Sequence, residues 1–284
     1  MKKILLLLLI FGCCACSTQP VHRFATYNVR IVLAADQGEK SWYERRPYLI
    51  QNILDNDIDI IGMQEVTGNN ADSVTGCSQL EDLQQGLPEY ACIANDRQDP
   101  YYSFNAVFYR KDKYECVSWS SFFLNETPDE PAKGWGAEYF RRCLVARMRV
   151  KATGEEFYFC CTHADYEPMA ACEGEARLLS DTLPKITGDL PMVLVGDLNH
   201  DKKDKPTVYQ LYRRAFEDSS DSDYPTYQNW RCADSSDFGG AEIDYLFYRH
   251  LTPVGRKVVT EDFGRNVPPS DHFLVWADFR LGGK

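Results

Sequence analysis

The sequence predicts a mixed α/β fold, and three observations carry the prediction. Short runs rich in Val, Ile, Phe and Tyr recur along the chain, the mark of strands. Between several of them, apolar residues fall three and four positions apart, as on one face of a helix. Runs such as MVLVG at 192–196 are apolar at nearly every position and need cover on both faces. A central sheet or pair of sheets flanked by helices follows.

In chain order, the strand-like runs are residues 23–27 (RFATY), 58–63 (IDIIGM), 106–109 (AVFY), 144–150, 157–162, 192–196, 243–248 and 273–279. A helix is expected over 42–56, with Tyr48, Leu49, Ile53 and Leu54 as its apolar residues, and a second over 78–86, with Leu80 and Leu83. A third is expected over 174–186, carrying Ala176, Leu178, Leu179 and Leu183. The fourth, 205–216, contains Val208, Leu211 and Ala215 and opens with Pro206, where a missing N–H costs nothing. No repeat, low-complexity segment or long linker interrupts the pattern.

The chain has 284 residues, with 31 Lys+Arg against 42 Asp+Glu, a formal charge of −11. Its first 16 residues, MKKILLLLLIFGCCAC, read as a secretory signal: two lysines, an apolar run, then small residues. The run is shorter than the ~20 residues a membrane span needs. Cysteines directly after it make the segment resemble a bacterial lipoprotein signal. Cys13 and Cys16 are both candidates for lipidation, and Cys16 is preferred because the polar STQP follows it. The expected boundaries are therefore 1–16 for the signal and 17–284 for the body, anchored by lipid to the bacterial cell envelope.

Without Lys2 and Lys3 the balance becomes 29 against 42, or −13. That argues against broad electrostatic binding of long nucleic acids, which needs a basic footprint. Intrinsic disorder, collagen and a multi-span membrane protein are excluded by composition. Short basic clusters at Arg45-Arg46, Arg110-Lys111, Arg141-Arg142 and Lys202-Lys203 with Lys205 read as solvated surface. The eight body cysteines include Cys160 and Cys161 inside FYFCC, expected in the core. Cys77, Cys172 and Cys232 lie in polar stretches and are the better disulfide candidates.

The informative feature is what bounds the apolar runs. Asn28 ends RFATYN, Gln64-Glu65 ends IDIIGMQE, Thr162-His163 ends FYFCCTH, and Asp197 and Asn199 follow MVLVG. Asp244 lies in EIDYLFY, and Ser270-Asp271-His272 precedes FLVWADF. Alone, each reads as a cap or a turn. Together they place polar side chains along one edge of a buried sheet, where sites gather.

In order, YN (27–28), QE (64–65), TH (162–163), GDLN (196–199), IDY (243–245) and SDH (270–272) resemble the endonuclease/exonuclease/phosphatase superfamily. FFLNETP (122–128), GW (134–135) and RRC (141–143) resemble a bacterial secreted branch of it. The resemblance implies a four-layer α/β sandwich: two packed, mainly antiparallel sheets flanked by helices, forming one domain. It also implies phosphate-ester hydrolysis with a divalent cation, Mg²⁺ or Mn²⁺ in its place.

By the same resemblance Glu65, Asn28 and Asp271 are metal-site residues, Asn28 through its side-chain carbonyl. Asp197 would aim or deprotonate the attacking water, and Asn199 would hold the water or the phosphate. His272, oriented by Asp244, would contact the scissile phosphate, with His163 as a second active-site histidine. Arg142 would add positive charge, and Tyr101 would sit on the substrate side. Many relatives carry a glutamate where Ser103 stands here. Arg30 is left as either a substrate contact or a surface charge, and Asp165 as a loop acid. The expected substrate is a small phosphoester or short oligonucleotide ahead of duplex DNA. The alternative from another class is an inactive, envelope-anchored binding protein on the same scaffold.

Overall fold

The structure is a computed structural model that describes residues 19–68, 76–94, 104–220, 222–236 and 238–282. Twelve strands and four α-helices appear among them. The first sheet contains β1 (Val21–Asn28), β2 (Ile60–Val66), β3 (Tyr90–Ala94), β4 (Phe104–Arg110), β11 (Leu251–Val259) and β12 (Leu274–Leu281), in the order β11-β12-β1-β2-β4-β3. The second contains β5 (Tyr114–Phe123), β6 (Arg142–Val150), β7 (Glu156–His163), β8 (Met192–Asp197), β9 (Glu217–Asp218) and β10 (Asp244–Arg249), in the order β5-β6-β7-β8-β10-β9. Each sheet is antiparallel except for one central parallel pair, β1/β2 and β7/β8.

Three apolar layers separate four layers of structure. Phe24, Ile60, Val107, Phe159, Cys161, Val193, Val195 and Val275 fill the space between the sheets. Their chain neighbours point the other way. Ala25, Ile61 and Phe108 meet Trp42, Leu49 and Ile53 of α1 (Trp42–Asp55) and Leu80 and Leu83 of α2 (Gln79–Gly86). Cys160, Met192, Leu194 and Phe247 meet Leu179 and Leu183 of α3 (Met169–Thr187) and Leu211 of α4 (Pro206–Arg213). Alternation with apolar residues on both faces is why MVLVG reads as a continuous run; β8 is buried at every position.

All eight strand runs expected from sequence are interior strands. Those not expected, β3, β5, β9 and β11, are the four sheet edges. At least half of the positions of β5 and β11 are exposed, and Ser, Thr, Gly, Pro and charged residues break up their apolar ones, so no apolar run marks them. Helix α3 starts earlier than expected, at Met169, and α4 ends earlier, at Arg213.

Two expectations are corrected. No disulfide joins Cys77, Cys172 or Cys232 among the described residues. Cys172 lies on α3 with its thiol toward the Asp165 carbonyl, and Cys232 turns toward the Arg265 carbonyl, while Cys77 lies by α2 in the opposite outer layer. The buried face of α1 is also rotated from the one expected. Trp42, Arg45, Leu49, Asn52 and Ile53 are buried, whereas Tyr48 and Leu54 are exposed. Arg45 is thus no surface charge.

At Gly62 the two sheets pack closely. A Cβ there would lie 2.5 Å from Val195 Cγ2 and 2.8 Å from Cys161 Sγ. Gly62→Ala should destabilise the fold by about 1–3 kcal/mol through overpacking, measured by urea unfolding against the unsubstituted chain.

Candidate active site

The two parallel pairs decide where the polar strand ends go. Parallel neighbours end on the same side, so Asn28 and Gln64-Glu65 lie together, as do His163 and Asp197. β10 and β12 run antiparallel to β8 and β1 and bring their starting residues to that same edge: Asp244 faces Asp197 across the ladder, and Ser270–His272 lead into β12. Hydrogen bonds then tie this edge together, the Asn28–Asp197 bond crossing between the two sheets. Ser270 Oγ donates to the Asn28 carbonyl at 2.7 Å, and Asn28 Nδ2 donates to Asp197 Oδ2 at 3.0 Å and Glu65 Oε1 at 3.1 Å.

Asp197 is the centre of the arrangement. Beyond Asn28, its Oδ2 lies 3.4 Å from His163 Nε2 and 3.6 Å from His272 Nε2, and its Oδ1 accepts the Asn199 N–H at 3.0 Å. Burial raises its pKa to about 7; the charge of His272 opposes the rise and the charge of Asp244 adds to it. His272 Nδ1 donates to Asp244 Oδ2 at 2.9 Å. Burial disfavours the imidazolium, but Asp244 and Asp197 outweigh burial and lift its pKa to about 10. His163 is the opposite case: burial, Arg141 and His272 all hold its pKa well below the usual value. One histidine is cationic near neutral pH and the other neutral. Asn199 Nδ2 donates to His163 Nε2 at 3.0 Å and to the Ala164 carbonyl at 2.9 Å. The proton of neutral His163 is thereby placed on Nδ1.

Asn28 differs from expectation. Its carbonyl accepts the Arg30 N–H at 2.9 Å, and its amide hydrogens face the two carboxylates. The network fixes that orientation, so the side chain presents donors where an oxygen ligand is expected. Arg142 begins β6 as the ladder neighbour of the His163 position, and its Nη2 donates to Ser121 on β5 at 2.6 Å. Tyr101, Ser103 and Cys16 lie outside the described residues. The other site residues expected from sequence, Glu65, His163, Asp197, Asn199, Asp244, Asp271 and His272, are brought to this one edge.

Several residues that sequence reasoning missed hold the site in shape. Buried Arg45 donates to the carbonyls of Val29 (2.5 Å), Arg30 (2.7 Å), Lys40 (3.1 Å) and Pro269 (3.4 Å). It thereby fastens the loop after Asn28 to the loop before Ser270. Gln79 also donates to the Arg30 carbonyl, at 2.9 Å. Arg30, left open by the sequence, turns inward: Nη1 lies 3.3 Å from Asp271 Oδ2, and Nε donates to Asp36. Thr226 Oγ1 accepts the N–H groups of Ile243 and Asp244, and the Tyr227 ring packs 4.9 Å from His272. Arg30, Glu65 and Asn199 all have left-handed backbones, at φ 57°, 62° and 52°. Such strain in non-glycine residues persists where surrounding structure over-determines it, and it clusters at functional sites.

At this edge, two sets of side chains are candidates to meet a cation. Ligating atoms of Asp197, Asp244 and His272 lie within 4.8 Å of one another, but a protonated imidazole repels a metal and Asp244 is committed to it. Glu65 and Asp271 fit a hard cation better. Both offer carboxylate oxygens, and the proton affinity of Asp271 is raised by burial and, after the opposing charge of His272, by the charge of Glu65.

The chain matches the Endonuclease/Exonuclease/phosphatase family over residues 25–272. It belongs to that family. The solved structure of a family protein from Bacteroides thetaiotaomicron superposes with a TM-score of 0.82 at 28% identity, covering 94% of this chain and 100% of that one. A mannosyl-6-phosphatase of Bacteroides thetaiotaomicron gives 0.80 at 28% identity, covering 92% and 100%. Nocturnin of Drosophila melanogaster is 24% identical over 286 residues, 85% of this chain; the chain spans 42% of that relative's length. The fold is the α/β sandwich of this family. Membership and the phosphatase neighbour support a phosphoester-cleaving hydrolase.

Two outcomes follow from the buried charges. Arg45→Met strips at least two charge-assisted hydrogen bonds, each worth about 1.5–3 kcal/mol, and should lower stability by about 3 kcal/mol or more in denaturant unfolding. Glu175, fully buried on α3, has its pKa raised to about 8 by burial. The unfolded chain ionises this carboxyl near its model value of 4.5 while the fold keeps it protonated, so stability falls as pH rises between the two values. Glu175→Gln should flatten that part of the stability–pH curve, read by thermal melts across the interval.

Proposed function

We propose that the protein hydrolyses phosphate esters by attack of an activated water, with Mg²⁺ or Mn²⁺ as cofactor. The observation that carries this reading is the Asp197 carboxylate, held between Asn28, His163 and a cationic His272 with a pKa of about 7. A group poised there can take a proton from water near neutral pH. Asp244 keeps His272 protonated, and the His272 Nε2–H, which faces Asp197 at 3.6 Å, is the donor for a phosphate oxygen gaining charge. Among the described residues, both amide hydrogens of Asn199 are engaged. Its carbonyl remains and suits a water proton better than a phosphate oxygen. Glu65 and Asp271 are the residues that would hold the cation, which when bound neutralises charge on the phosphate oxygens. Arg142 is read as a further positive charge at the substrate.

A small phosphoester is the favoured substrate, supported by the body charge and by the likeness to a mannosyl-6-phosphatase. The inactive-scaffold alternative is motivated only by Ser103, and no specific observation favours it. Residues 17–284 are read as the catalytic domain, tethered to the bacterial envelope through lipid on Cys16. Labelling with a fatty-acid analogue, lost in Cys16→Ser and retained in Cys13→Ser, would support the tether.

Asp197→Asn should reduce kcat/KM on bis-p-nitrophenyl phosphate by about 10²–10⁴-fold, and EDTA should abolish turnover until Mg²⁺ or Mn²⁺ is restored. Unaltered turnover in either experiment sinks the mechanism. The kcat/KM profile should rise through about pH 7 as Asp197 loses its proton and fall through about pH 10 as His272 loses its own. Asp244→Asn removes the largest charge holding that proton, so the alkaline limb should move to lower pH. An unmoved limb would show that His272 does not govern it.

A further inference from the structure

Two exposed tyrosines stand beside the site, and one buried acid places both. Asp165, two residues past His163, has no exposed surface. Its Oδ2 accepts the N–H of Tyr139 at 3.0 Å and its Oδ1 that of Tyr166 at 2.9 Å. Asp165 is itself fixed: its N–H donates to Glu175 at 2.7 Å, and its carbonyl faces the Cys172 thiol at 3.2 Å. A carboxylate expected to be a loop acid is thus the clamp for an aromatic pair.

The rings lie 6.2 Å apart at 44° and are 45% and 40% exposed. Tyr139 carries the Arg141 guanidinium 4.8 Å from its ring, and the Tyr166 hydroxyl donates to Glu138 at 2.5 Å. Side chains held in this way offer contact area at little ordering cost. Their loops run directly into the site. Ala164, between His163 and Asp165, donates its N–H to the Asp197 carbonyl and accepts from Asn199. Lys205 donates to the carbonyls of both Tyr166 and Asn199. Arg141 precedes Arg142, and its charge is felt at His163.

Exposed tyrosine rings with Glu138, Glu167 and Lys205 beside Tyr166 match a polyhydroxylated ring, whose C–H face packs on the π-surface while its hydroxyls meet these polar groups. Glu138 and Glu167 oppose a chain of nucleic-acid phosphates running across the same surface. We propose that Tyr139 and Tyr166 form a stacking subsite for the sugar ring of a phosphorylated monosaccharide. This rests on the reading of the adjacent site as a phosphoesterase.

The test compares the Mg²⁺-loaded protein with its Tyr139→Ala, Tyr166→Ala and Tyr139→Phe variants on a hexose 6-phosphate, glycerol phosphate and a nucleoside 5′-monophosphate. Each alanine variant should raise KM for the hexose phosphate about tenfold. The kcat value and the glycerol phosphate kinetics should change by less than about twofold, and Tyr139→Phe, which keeps the ring and loses the hydroxyl, should raise KM for the hexose phosphate by less than Tyr139→Ala does. Saturation-transfer NMR on metal-free protein should detect the unphosphorylated hexose and lose it in the doubly substituted Tyr139→Ala, Tyr166→Ala protein, with thermal melts confirming its fold. Equal losses on hexose and glycerol phosphates overturn the proposal. So does a loss confined to the nucleotide, or an absent hexose signal. A hexose signal that depends on the tyrosines, in a protein that turns over no phosphoester, upholds the subsite and removes the hydrolase reading instead.

Discussion

A single parallel strand pair at the middle of each otherwise antiparallel sheet is the constraint from which the site follows. In a wholly antiparallel meander, successive strand ends alternate between opposite edges. Here β1 and β2 end together, β7 and β8 end together, and their antiparallel neighbours β12 and β10 begin there. Six polar boundaries scattered from Asn28 to His272 therefore converge on one edge. Residues at the ends of buried strands inherit fixed backbones, so the side chains that do chemistry are positioned by the most rigid part of the molecule.

The electrostatics are arranged in opposed pairs. Burial penalises every charge at this edge, and what survives depends on partners. His272 keeps its proton because Asp244 touches it, whereas His163 meets Arg141 and His272 and gives its proton up. Further back, Arg45 is dehydrated enough that its pKa falls to about 10. Its hydrogen bonds go to backbone carbonyls, so its role is to hold two loops. Arg30 pairs with both Asp36 and Asp271. Buried Arg45 and half-buried Arg30 beside the carboxylates let an acidic chain keep a dense acidic cluster.

Legibility in the sequence tracked burial on two faces. Interior strands display apolar runs with polar boundaries, and these carried the helix-flanked sheet and the candidate site residues, while the four layers and the residue roles came from the family resemblance. Edge strands bury one face at most, so β3, β5, β9 and β11 left no such trace. Arg45 was hidden for a related reason. It falls on the stripe Trp42, Arg45, Leu49, Asn52, Ile53 of α1, but a charged residue is read as surface unless its hydrogen-bond partners are known, and those partners come from loops far away in sequence. The same holds for Thr226 and Asp165, whose roles consist of backbone contacts made only after folding. The Asn28 side chain shows a finer limit, since residue type does not say which end of an amide faces the neighbouring carboxylates.

The site is shared between the two sheets. Asn28, Glu65 and Asp271 come with the first, and His163, Asp197 and Asp244 with the second, while His272 leads into β12 yet bonds Asp244 across the gap. Neither half is a site alone, so anything bound there bridges two layers otherwise joined mainly by apolar packing. A ligand with affinity only for the assembled edge acts as a clasp, adding RT ln(1 + [L]/Kd) to the work of parting the sheets. Resistance to heat thereby becomes a function of ligand supply: a charged active centre, costly to bury when empty, becomes a point of cohesion when filled.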